Sequence, residues 1–113
     1  MTWQELLDEV RKGLNDPDKT HWSDADLLQR ATVTRNELFG LHSEAFAVST
    51  VVTAVPTDPS EASLTGTVDF NLTWKQAFVA HVRWQCYMDD SDERQNVALA
   101  DKHFAIWSRA VGG

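Results

Sequence analysis

Apolar residues first recur at Trp3, Leu6, Leu7, Val10 and Leu14, a spacing of i, i+3, i+4, i+7 and i+11. That spacing lays one stripe along a helix over 2–14. Thr2 and Glu5 stand at capping-box spacing before it, and Asn15-Asp16-Pro17-Asp18 ends it. A second start signal follows in HWSDADLL. Ser23 is the expected N-cap, Asp24 and Asp26 complement the helix dipole, and Trp22 and Leu27 occupy the two positions of a hydrophobic staple. The pattern predicts a helix from about Asp24 to about Phe39, extendable past Gly40 to Phe46, with Leu27, Leu28, Ala31 and Leu38 inward.

Residues 47–72 change period. AVSTVVTAV is β-branched, PTDPSEAS is turn-rich and LTGTVDFNL alternates. Val51 and Val55 before the turn, and Leu64, Val68 and Phe70 after it, predict a hairpin. An isolated hairpin is marginal in water, so it must pack on something, another chain included. Two further helices are expected. One is capped by Thr73 with Gln76, runs to about Met88, and carries Trp74, Phe78, Val82 and Cys86 along one face. The other runs from about Asp92 to about Ala110 and carries two apolar stripes. Val97, Ala100, Phe104 and Trp107 form the first, and Leu99, His103, Ile106 and Ala110 the second. A surface helix needs one stripe, so two imply a central position or a subunit contact. The expected fold is mainly α: a four-helix bundle with a β-hairpin arm between the second and third helices, in one domain over 1–113 with the arm at 47–72.

Composition narrows the function. The chain has 113 residues, a formal charge of -7, five tryptophans and one cysteine. No Lys/Arg run offers phosphate neutralisation, and no apolar run approaches the ~20 residues of a membrane span. The N-terminal stretch lacks the pattern of a secretory signal, so synthesis in the cytosol is expected. A lone Cys86 in mid-helix between aromatics reads as a small core residue rather than a nucleophile.

Four carboxylates crowd into Asp89, Asp90, Asp92 and Glu93. An EF-hand loop needs a glycine at its sixth position. Counting from Asp90 or from Asp89, that place falls on Gln95 or Arg94, and the pattern fails. The run reads instead as a corner between helices, with Asp90 or Ser91 capping the second of them. His81 and His103 would approach each other in an antiparallel pair with Cys86 nearby, but no HExxH or i, i+4 pair supports zinc. There is no GxSxG and no phosphate-binding glycine loop. No cofactor, metal or catalytic residue is expected.

The segment FVAHVRWQCYMDDSDERQNVALADKHFAIWSRAVG resembles the closing helices of the small head-to-tail adaptor (connector) proteins of tailed bacteriophages. The matching positions are Tyr87, Asp90, Ser91, Arg94, Asn96, Ala98, Ala100, His103, Phe104, Trp107 and Gly112, with Trp22, Ser23 and Asp24 opening the second helix. Residues 47–72 depart from the family, as does the absence of a proline ending the second helix. The resemblance implies a non-catalytic virion protein at the head-tail junction, made in the host bacterial cytoplasm. It implies a homo-oligomeric ring, usually of twelve copies, that binds the portal protein above and the tail or nozzle protein below. DNA would pass through the channel without sequence-specific binding, and an acidic lining repels phosphate.

On this reading Val51, Val52, Val55, Leu64, Val68, Phe70, Ile106 and Trp107 are the expected subunit or partner contacts. Removal of 50–70 would leave a folded helical monomer that no longer assembles. Two other readings stand beside it. One is an acidic helical module that binds or regulates a basic protein partner. The other is a small metal-dependent enzyme using Asp89, Asp90, Asp92 and a histidine.

Overall fold

The computed structural model describes residues 1–14, 21–46, 64–89 and 94–112. Among the described residues there are four full α-helices: α1 (Trp3–Leu14), α2 (Asp24–Leu41), α3 (Lys75–Asp89) and α4 (Arg94–Gly112). Two short 3-10 turns, Ser43–Ala45 and Leu72–Trp74, flank the crossing from α2 to α3. None of the helices among the described residues is long and apolar enough to cross a membrane.

The helix starts follow local chemistry. At α1 the Glu5 amide donates to Thr2 Oγ1 at 3.1 Å and the Thr2 amide donates to Glu5 Oε1 at 3.0 Å, a closed capping box. At α2 the Asp26 amide donates to Ser23 Oγ at 3.1 Å. Trp22 packs partly buried against the core, in which Leu27 is fully buried. The start of α3 differs from expectation. Asn71, not Thr73, supplies the cap: its side-chain oxygen accepts from the Thr73 amide at 3.0 Å. A 3-10 turn then runs into α3. Asn71 thus caps the 3-10 turn that leads into α3, through the Thr73 amide, two residues ahead of the expected cap. The expected Asp90 or Ser91 cap of α4 lies outside the described residues.

The centre of the molecule is α3. Six successive residues, Ala77 to Val82, are buried, because α3 packs against α1, α2 and α4. A helix buried all round is a core element. The two stripes of α4 had pointed to α4 for that place. Instead α4 buries Ala100, His103 and Trp107, a line between the stripes, and leaves Val97 and Phe104 exposed.

No strand occurs among the described residues, and the hairpin is not present there. Its first half, with Val51, Val52 and Val55, lies outside them. Its second half makes two isolated antiparallel bridges, Thr2 with Thr67 and Phe46 with Phe70. The Trp3 amide donates to Gly66 O and the Val68 amide to Met1 O, both at 3.0 Å, and the Asn71 amide donates to Ala45 O at 2.6 Å. The alternation seen in the sequence therefore turns Leu64, Val68 and Phe70 into this chain's own core. Phe70 stacks on Phe78 at 4.4 Å and 6°, and Trp3 closes on both rings at 6.3 Å. Removing 50–70 would open this cluster rather than trim an arm.

Buried cations lock the layers together. Arg35 on α2 pairs with Asp69, its Nε at 2.9 and 3.2 Å from the two carboxylate oxygens and its Nη2 also on Oδ2. Arg11 on α1 reaches the Trp22 carbonyl and the Asp24 carboxylate, each at 2.5 Å. From α3, Arg83 donates to the carbonyls of Glu9 and Val10, and the Tyr87 hydroxyl donates to Gly13 O at 2.6 Å. Tyr87 thereby takes up Gly13 O, one of the carbonyls that α1 leaves open at its C-terminal end, while Arg83 adds a second donor to carbonyls of the turn before it. The guanidinium lies over Gly13, where a Cβ would sit 2.2 Å from Arg83 Nε and would make the Arg83 side chain shift.

Candidate interaction surfaces

The interior polar groups around His81 are hydrogen-bonded structural pairs. Thr34 on α2 donates its hydroxyl to His81 Nδ1 at 2.6 Å and accepts from Gln85 Nε2 at 2.9 Å. The same amide donates to Arg30 O at 3.0 Å. His81 is wedged between Trp84 and Trp107, with ring centroids at 5.1 and 4.4 Å. Burial pushes its pKa down to about 4, so the ring is neutral and accepts through Nδ1. His103 lies stacked on Tyr87 at 5.6 Å and 9°, its pKa also lowered by burial and by nearby Arg83 and Lys102. Cys86 is fully buried and desolvation raises its thiol to about 12, which leaves no thiolate for chemistry. Among the described residues no three His, Cys, Asp or Glu side chains converge as a metal site. Asp90, Asp92 and Glu93 lie outside those residues.

His42 is a different case. It stacks against Trp74 at 4.8 Å, and its two ring nitrogens face acceptors: Val111 O at 2.6 Å and Glu44 Oε1 at 2.7 Å. Two acceptors favour the doubly protonated ring, and the pKa is raised, first by Val111 O and then by the Glu44 carboxylate. His42 thereby ties the end of α2 to the end of α4.

Two surface features among the described residues involve α3 and α4. The first is apolar. Trp84 and Met88 stand one turn apart on α3, Val97 and Phe104 two turns apart on α4, and the Trp84 and Phe104 rings meet at 4.9 Å. That contact merges both pairs into one face of the helical hairpin. Met88 is 46% exposed, Val97 42% and Phe104 42%. A single exposed apolar residue means little, but three beside a half-buried tryptophan form a patch of the kind that partners cover. The second feature is a cleft of about 270 Å³ where α1, α3 and α4 meet. Val79 and Ile106 line it with Lys75, Gln76, Arg83 and His103.

The expected contact residues divide accordingly. Leu64, Val68, Phe70 and Trp107 are buried in this chain's own core, Ile106 lies half-exposed in the cleft, and Val51, Val52 and Val55 fall outside the described residues. Met88 and Trp84 went unmarked in the sequence. Their signal was present as an i, i+4 pair off the Phe78–Val82–Cys86 line, and it could be placed only once the neighbouring helix was known.

No family model, no curated protein and no solved structure matches the chain.

Proposed function

We propose that this chain is a structural, non-catalytic protein of a bacteriophage particle, a head-to-tail adaptor that assembles with copies of itself into a ring. The ring joins the portal to the tail or nozzle and forms part of the channel through which DNA passes. The observation that carries this reading is the Trp84–Met88–Val97–Phe104 face. A chain of charge -7 repels its own copies at long range. The outer stripe of α4 through Val97, Ala98, Asp101, Phe104, Ala105 and Ser108 bears one charge in six positions, so like chains can meet there with little repulsion. The sequence resemblance over 78–112 supplies the phage setting and the expectation of twelve copies.

Light scattering on the purified chain, alone and mixed with a portal ring, tests the reading. A ring-sized particle, or a monomer recruited to the portal in many copies, is the expected result. Phe104→Asp should abolish that recruitment while the chain stays folded, at the modest cost in melting temperature of losing the contact with Trp84. A monomer indifferent to its cognate portal would overturn the proposal and favour an acidic module for a basic partner. That module would show binding that weakens steeply with salt.

A further inference from the structure

The last turn of α4 has little packing to hold it. Past Trp107 it turns one half-buried residue, Val111, to the core, while Ser108, Arg109, Ala110 and Gly112 are exposed. The last carbonyls of a helix have no partner within it. One of them, Val111 O, is met by His42 Nε2 at 2.6 Å. His42 is itself well fixed. Its amide closes α2 on Leu38 O at 2.7 Å, its carbonyl accepts from the Ala45 amide at 3.0 Å, and its ring leans on Trp74 at 4.8 Å and 35°. The ring therefore stands at the C-terminal poles of two helices at once, where a cation is favoured.

On its other side Nδ1 faces the Glu44 carboxylate at 2.7 Å. A carboxylate and a backbone carbonyl only accept, so both ring nitrogens must carry hydrogen for both contacts to hold. Neutral imidazole carries one. The side chain is 27% exposed, so protons reach it from solvent. Glu44 is the charged group in contact with the ring. The last turn of α2, residues 38–41, has no charge, Trp74 brings none and is followed by Lys75, and α4 contributes Arg109 in its last turn.

We propose that His42 is a proton-operated latch on the C-terminal turn of α4: the imidazolium holds Val111 O and Glu44 together, and the neutral ring gives up one contact and lets the turn fray. Glu44 is 70% exposed and swings away at little cost. The bond to Val111 O then loses its charge, and a charge-assisted hydrogen bond is roughly twice as strong as a neutral one. The latch is closed below the ordinary histidine value of 6.5 and opens as pH rises through the raised one. The helix it controls is the one that exposes Val97 and Phe104, so the state of His42 sets how firmly the far end of that stripe is held. The device lies within one chain, so it stands or falls apart from the ring.

The test follows the full chain by NMR on both sides of the His42 titration. The Val111 methyl shifts and the exchange protection of amides 109–112, corrected for the intrinsic pH dependence of exchange, should follow the His42 ring with one midpoint above 6.5. Protection should fall about tenfold across it, as a charge-assisted bond gives way to a neutral one. Glu44→Gln should lower the midpoint, because it removes the anion and keeps an acceptor; the position is exposed, so the chain still folds. His42→Gln can donate to Val111 O but does not titrate, so its protection should stay at the open level at every pH. A turn equally protected on both sides of the titration would overturn the proposal. So would a pH dependence that survives in His42→Gln, or a Glu44→Gln midpoint equal to the parent's.

Discussion

The Arg35–Asp69 pair gives the sharpest test of how the fold is held. Asp69 lies in the 64–70 segment, and Arg35 is the hook on α2 that receives it. Arg35 is 3% exposed and Asp69 27%, so the guanidinium is dry and the carboxylate is open on one side. Phe46 covers the guanidinium, its ring centre 5.0 Å from Cζ. Asp69→Ala would leave that cation buried with no counter-charge. Breaking a fully buried pair costs about 3–5 kcal/mol. Water reaching the Asp69 side lowers this to roughly 2–3 kcal/mol, still a large share of a typical domain stability of about 5–15 kcal/mol. Urea unfolding followed by tryptophan fluorescence and helical circular dichroism would measure it at neutral pH. The double variant Arg35→Met with Asp69→Leu should recover much of the loss, because two apolar groups need no partner. Asp69→Ala within about 0.5 kcal/mol of the parent, the range of an ordinary surface change, would refute the reasoning.

Further outcomes follow from the packing of the helices. Gly13→Ala should destabilise despite alanine's helix preference of about 1 kcal/mol, because its Cβ evicts Arg83 from the end of α1. Gly40→Ala meets open space in α2 and should stabilise by about that amount, so equal signs in thermal melts would contradict the packing. His81 should stay neutral in the native chain down to about pH 4, as read by NMR titration of its ring. Its contribution is full above the ordinary value of 6.5, and between 6.5 and about 4 stability should fall with acidification, since the unfolded chain takes up a proton the folded one refuses. His42 acts with the opposite sign: its contribution is present below the ordinary value and lost as pH rises through the raised one. Cys86 should resist a thiol reagent in the native chain and react at once in urea, and fast native labelling would contradict its burial.

Local signals were legible in the sequence because they depend on near neighbours along the chain. The Thr2–Glu5 box, the Ser23 cap, and the inward stripes Trp3–Leu6–Leu7–Val10 and Leu27–Leu28–Ala31–Leu38 need only helical geometry to be read, and all stand as expected. Tertiary structure decided what those signals could not. Alternation at Leu64, Val68 and Phe70 announces one buried side, but not which surface buries it. Backbone partners at Met1, Trp3 and Ala45 drew the segment onto this chain's own core, where Phe70 found Phe78. The choice between α3 and α4 as the central helix was likewise invisible, since Ala77 to Val82 look ordinary until three helices surround them. Arg35 and Asp69 are separated by 34 positions, and no sequence period links charges so far apart. The same holds for the cleft: Glu9, Lys75 and His103 share a site only because α3 lies between α1 and α4. Periodicity fixes which side of an element turns inward, and only packing fixes what it meets.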